Sequence, residues 1–162
     1  MTALRIGHGF DVHPFSDDAA RPLVLGGVAF AGERGLVGHS DSDVVAHAVS
    51  DALLGAAGLG DIGQLFPDTD PALAGADSIV LLADIAGRLA AAGWTAVNVD
   101  CTVVLELPKL APHRAEMQSK LSAAAGCDVT VKGKRAEGLG ALGRREGIAC
   151  FAVALVERSE IS

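Results

Sequence analysis

Between Trp94 and Leu107 the chain alternates with a period of two, and this run restricts the fold more than any other stretch. Its odd positions Val97, Val99, Cys101, Val103, Leu105 and Leu107 are apolar, whereas Asn98, Asp100, Thr102 and Glu106 are polar. Successive side chains on a strand point to opposite sides, so the run predicts a β-strand with one face in a core. Pro108 ends it, because proline has no N–H for the ladder. Further strands are expected at Leu4–Gly9, at Leu23–Phe30 with a bulge or close approach at Gly26-Gly27, at Asp128–Lys134 and at Ile148–Glu157. Helices are expected over about Asp43–Ala57, closed by Gly58, from Asp77 or Ser78 to about Ala92, and over Pro112–Ala125 before Gly126. Ser40, Asp41 and Ser42 are candidate N-caps of the first helix. The order β-β-α-α-β-α-β-β predicts an α+β fold (an α/β sandwich), a single mixed sheet with helices packed on one face. The other face would stay open unless chains associate, so an oligomer is expected.

Length and composition narrow the class. The 162 residues are expected to form one domain, 1–162, long enough for a proper core, with half of them hydrophobic and a fifth charged. No apolar run reaches the ~18 residues of a membrane span, and no signal-peptide core precedes Gly7. The expected location is cytoplasmic, with no membrane partner. Cys101, Cys127 and Cys150 are odd in number, widely spaced and set in apolar runs, so they read as reduced packing residues. A net charge of −7, few aromatics and no tyrosine argue against a nucleic-acid partner. An anionic substrate would then need metals or the local basic cluster Lys132, Lys134, Arg135, Arg144 and Arg145.

Two stretches carry candidate chemistry. On the first helix Asp43, His47 and Asp51 are spaced four apart and share a face that is otherwise rich in valine, alanine and leucine. Near the N-terminus Asp11 and His13 stand at i and i+2, which in an extended segment point the same way. Together Asp11, His13 and His47 offer two imidazoles and a carboxylate, leaving one coordination position open. That set suits a catalytic zinc and equally a non-haem iron. Asp43 or Asp51 would accept the free imidazole N–H and fix its tautomer. Without such convergence, His47 would read as a hydrogen-bonded core histidine.

Four blocks in order, GHGFDVHPF at 7–15, HSDSDVVAH at 39–47, SDALLGAAGLGDIG at 50–63 and LFPDTDP at 65–71, resemble the 2-C-methyl-D-erythritol 2,4-cyclodiphosphate synthase family. Pro108-Lys109, Pro112-His113 and GIAC at 147–150 fit as well, so the likeness spans essentially the whole chain. It implies an enzyme of the non-mevalonate route to isoprenoid precursors, a phosphorus–oxygen lyase. Such an enzyme turns 4-diphosphocytidyl-2-C-methyl-D-erythritol 2-phosphate into the cyclic diphosphate and CMP. The 2-phosphate attacks the β-phosphorus within one molecule, so catalysis rests on positioning and charge neutralisation.

The resemblance also implies roles for residues. Asp11, His13 and His47 match the ligands of zinc (or another divalent transition metal), and Glu137 matches the single protein ligand of a magnesium or manganese ion. His39 and Ser40 match the pair that holds the 2-phosphate, with His39 catalytic. Substrate contacts would come from Asp11, Val12 and His13, and the erythritol pocket from Asp61, Ile62, Gly63, Phe66, Pro67, Asp68, Thr69 and Asp70. The cytidine side would come from Leu105, Glu106, Leu107, Pro108, Lys109, Leu110 and Ala111, donated by a neighbouring subunit of a homotrimer. Lys134, Arg135, Ala136, Glu137, Ala141 and Arg144 complete the set.

Departures fall in that last loop. The family's ATTTE reads GKRAE at 133–137, and its Gly-Arg-Gly-Glu-Gly reads GRREG at 143–147. Arg135 stands where the family has a phosphate-contacting threonine that stabilises the transition state, so Arg135 is expected to be catalytic, a charged contact replacing a hydroxyl one. Two alternatives stay open at this point: an iron-dependent oxygenase, which gives Glu137 no role, and a metal-stabilised trimer without turnover.

Overall fold

The strand that opens the chain outlasts its expected end at Gly9. In the computed structural model, which describes residues 3–158, β1 (Leu4–Pro14) pairs antiparallel with β6 (Gly147–Arg158) along all eleven of its residues. Residues 1, 2 and 159–162, the ends of the expected 1–162 domain, lie outside the described residues. Asp11 and His13 thus belong to a paired strand rather than to the following turn. Its odd residues Gly7, Gly9, Asp11 and His13 face the helices, and its even residues face the other way.

The main sheet has the order β1-β6-β4-β5. β4 (Trp94–Val104) runs antiparallel to β6 and parallel to β5 (Asp128–Lys134), with α4 (Arg114–Ala125) as the crossover. The mixed sheet with helices on one face is therefore as expected, with two local departures. The β4–β6 register shifts between Ala96 and Asn98, which turns Val97 out of the core and resets the alternation. Strand pairing also stops at Val104, so Leu107 lies beyond it and is exposed.

The segment Leu23–Phe30 is not one strand of that sheet. β2 (Leu23–Leu25) and β3 (Val28–Phe30) form a separate hairpin closed by Gly26 and Gly27. Both glycines have positive φ (58° and 74°), the backbone a two-residue hairpin turn requires.

α1 (Val44–Ala57) is buried nearly all round, packed on β1 and β6 and covered by α3 (Ser78–Ala91). Its approach to β1 is set by missing side chains. A Cβ at Gly7 would lie 1.9 Å from the Ala52 carbonyl oxygen, and one at Gly9 1.9 Å from that of Ala48. Two residues past Gly9, on the same strand face, stands Asp11. One residue before Ala48 stands His47.

Three short elements interrupt the loops: α2 (Ile62–Leu65), a 3-10 turn at Pro71–Leu73 and α5 (Gly140–Gly143). Cys101 and Cys150 are buried free thiols and Cys127 is half-buried, as packing residues should be. On the face away from the helices, Ile6, Phe10, Val12, Phe151 and Val153 are exposed, and Phe10 stacks on Phe151 at 4.9 Å. Toward β5 the same face turns polar, with Asp100 paired to Lys132.

Candidate active site

Close backbone packing of α1 on β1 brings the histidine of the helix to the carboxylate of the strand. Asp11 Oδ2 lies 3.0 Å from His47 Nδ1 and 3.0 Å from His13 Nε2, and the two rings are 5.5 Å apart. Ligand atoms from all three residues fall within 4.8 Å of one another, the one such group of metal-ligand type among the described residues. His13 Nδ1–H donates to the Val37 carbonyl at 2.6 Å, which leaves its Nε2 bare. That nitrogen is buried and out of line for a hydrogen bond to Asp11, so it has no hydrogen-bond partner. Three converging acceptors with an orphaned ring nitrogen are what a divalent cation fits.

Electrostatics agree with the geometry. Burial pushes the Asp11 carboxyl up, but the His13 and His47 imidazoles, each 3.0 Å away, outweigh it and hold the group well below the usual carboxylate range. Burial pushes His47 down, and Asp11, by hydrogen bond and charge, wins and raises it. His13 and His47 border a cavity of about 210 Å³, lined also by His39, Ser40, Ile62, Gly63, Phe66 and Asp68.

The expected partners of the imidazole are not the observed ones. Asp43 is fully buried and caps α1, accepting from Val45 and Ala46 N–H as well as from Gly26 and Gly27 in the hairpin turn. It supersedes Ser40, Asp41 and Ser42 as the N-cap. Asp51 accepts the Ile62 N–H at 2.8 Å. His47 Nε2 instead meets Ser78 Oγ at 2.9 Å and Ser40 Oγ at 3.2 Å.

The loop carrying His39 and Ser40 is tied down by Arg21, which sequence reading passed over. Its guanidinium donates to the Leu36, Gly38 and Ser40 carbonyls and to Ser42 Oγ. Ser42 sits at φ 59°, a left-handed position that Arg21 helps to hold. His39 Nε2 donates to the Asp70 carbonyl at 2.7 Å, which joins the loop to the 65–71 segment. Asp61 caps α2 and Asp70 caps the 3-10 turn, so their carboxylates serve local backbone here.

A family model described as the YgbB family matches residues 4–157. The chain belongs to the YgbB family. The 2-C-methyl-D-erythritol 2,4-cyclodiphosphate synthase of Bordetella petrii is 56% identical over 158 residues, 96% of either chain. Among solved structures, the bifunctional IspDF from Campylobacter jejuni aligns with a TM-score of 0.93 and 39% identity, over 99% of this chain and 44% of that one. A Plasmodium falciparum IspF solved as a CDP complex aligns at 0.83 with 32% identity over 99% of both. The iron oxygenase alternative ends with this match.

In this YgbB-family chain the remaining candidate residues gather elsewhere. Leu105–Ala111 with Arg114, Gly133, Lys134, Arg135, Gly143 and Arg145 line a cavity of about 580 Å³. It shares no lining residue with the cavity beside His47. Five cations and one carboxylate, Glu106, border it. Glu106 Oε2 accepts from Arg135 Nε at 3.1 Å and forms an ion pair with Nη2 at 3.0 Å, and its Oε1 accepts the Gly138 N–H. Glu137 lies between them at φ 53°, and neither it nor Ala136 or Ala141 lines either cavity. Arg144 pairs with Glu146 and borders another recess. Val12 points to the opposite face of β1 from Asp11, and Pro67 and Thr69 stay outside the lining of the smaller cavity.

Proposed function

We infer that the chain is a 2-C-methyl-D-erythritol 2,4-cyclodiphosphate synthase, a lyase of the non-mevalonate isoprenoid route. It converts 4-diphosphocytidyl-2-C-methyl-D-erythritol 2-phosphate to the cyclic diphosphate and CMP. The observation that carries the reading is the convergence of Asp11, His13 and His47 beside a cavity, in a chain more than half identical to such an enzyme. A zinc or similar divalent ion on these three residues would neutralise charge on the β-phosphate, and Glu137 would hold magnesium or manganese.

The protein's own part is positioning. His39 and Ser40 grip the 2-phosphate and hold it in line with the β-phosphorus. Asp61–Gly63 and Phe66–Asp70 enclose the erythritol. Lys109, Lys134 and Arg135 border the nucleotide side, where Arg135 keeps N–H groups beyond the two engaged by Glu106 to reach a phosphate oxygen.

The chain works as a homotrimer in this reading, with each site built from two subunits. Two observations support it: one chain holds its metal-side and nucleotide-side cavities apart, and the helix-free face of the sheet exposes Ile6, Phe10, Val12, Phe151 and Val153.

The test is incubation with the diphosphocytidyl substrate, zinc and magnesium, followed by phosphorus NMR. CMP and the cyclic diphosphate are expected in equal amounts. CMP with an open-chain product would mean a hydrolase, and no CMP from a folded, zinc-loaded protein would mean a trimer without turnover.

A further inference from the structure

Beyond its two metal-side neighbours, His47 ends a line of hydrogen bonds that leads away from the site. Ser78 Oγ, 1% exposed as a residue, donates its proton to Asp41 Oδ1, and the Ser78 N–H donates to Asp41 Oδ2 at 3.1 Å. Asp41 Oδ1 also accepts the Asp43 N–H at 3.1 Å, so this carboxylate is held from both sides. A hydroxyl has one proton, and here it is spent on an acceptor-only group. Toward His47 Nε2, 2.9 Å away, Ser78 Oγ can then only accept. The ring nitrogen facing it must carry a hydrogen, because two lone pairs at that distance would repel.

We propose that Ser78 and Asp41 are positioning residues that fix His47 with Nε2 protonated, present its Nδ1 to the metal, and release the Ser40 hydroxyl proton to the substrate phosphate. The inference rests on the metal and substrate reading above. Nδ1 is the nitrogen that faces Asp11 Oδ2 at 3.0 Å, so with Nε2 keeping its hydrogen it is Nδ1 that gives up its proton and offers a lone pair when the metal binds. An outer partner of this type orients a ligating imidazole and raises its basicity. Ser40 follows from the same proton count. Its Oγ lies 3.2 Å from His47 Nε2 and accepts the Ser42 N–H at 3.1 Å. With Nε2 protonated, Ser40 has no acceptor to serve on the ring, and its own proton is free to point into the cavity it lines.

The experiment uses the full chain with zinc as probe. Nitrogen-15 NMR of the histidine-labelled, zinc-loaded protein is expected to show His47 metal-bound at Nδ1 and protonated at Nε2, with that N–H protected from exchange. Zinc bound at Nε2 overturns the proposal without any substitution. In Ser78→Ala, zinc affinity measured against a competing chelator is expected to fall about ten- to a hundred-fold, with loss of N–H protection. Unchanged affinity and an unchanged N–H signal in a folded Ser78→Ala also overturn it. A merely structural serine would lower the melting temperature and leave the N–H signal in place. Asp11→Asn separates the two readings. If it does not weaken zinc binding, the metal site itself is misassigned; if it does while Ser78→Ala does not, only the relay fails.

Discussion

Asp43 shows how much a single carboxylate can hold. It takes two N–H groups from the first turn of α1 and two from the β2–β3 turn, with the carboxylate itself fully buried and only the Gly27 donor part-buried. Removing it strips a helix cap and orphans buried donors. Asp43→Ala should therefore lose about 3 kcal/mol of stability by urea titration, combining a lost cap with unsatisfied amides. Glu106 works in the wall of the larger cavity. The Gly138 N–H first, then the Arg135 guanidinium, hold its carboxyl below its ordinary value of 4.5. A lowered native value means the clasp contributes above pH 4.5 and fades as the pH falls through that native value. The melting temperature of Glu106→Gln should sit below wild type at pH 7, and the gap should close in acid. Single-residue roles were the least legible part of the sequence. The i, i+4 spacing correctly put Asp43 near His47, yet the carboxylate was claimed by hairpin amides distant in sequence. Asp41 and Ser78 looked like ordinary capping residues, and only tertiary packing set them behind the imidazole.

At the scale of elements, the contact of β1 with α1 decides where the metal-type cluster forms. Gly7 and Gly9 let helix backbone touch strand backbone, which brings His47 within 3.0 Å of Asp11. Gly9→Ala puts a methyl group into the Ala48 carbonyl and must push the helix away. It should cost about 1–3 kcal/mol by overpacking and lower zinc content together with stability, measured by denaturation and metal analysis on one preparation. Much of this scale was legible. The bounds of α1 and β5, and the cap of α3 at Asp77 or Ser78, follow from capping glycines, aspartates and alternation, which are local signals. Three features were not local. β1 reached Pro14 because β6 supplied a partner, β2 and β3 split off as a hairpin, and Val97 left the core through a register shift. The strand end at Asp11–His13 mattered most, since pairing holds both side chains on the helix face.

For the whole molecule, the two cavities on one chain share no lining residue, and one sheet face is left apolar. An open face was predictable from helices packing on one side. The proposed sharing of the site between subunits was an expectation from the family resemblance alone, because no periodicity records which cavities a neighbour completes. In the proposed homotrimer, that sharing would let two damaged chains repair each other. A His47→Ala chain keeps an intact nucleotide half, and a Lys109→Ala, Arg135→Ala chain keeps an intact metal half. Each alone should be poorly active. Unfolded together in equal amounts and refolded, they should regain about a quarter of the wild-type sites, by random assortment around a closed ring. Mixed without unfolding, they should regain activity only as fast as subunits exchange, so the rate of recovery times the opening of the assembly.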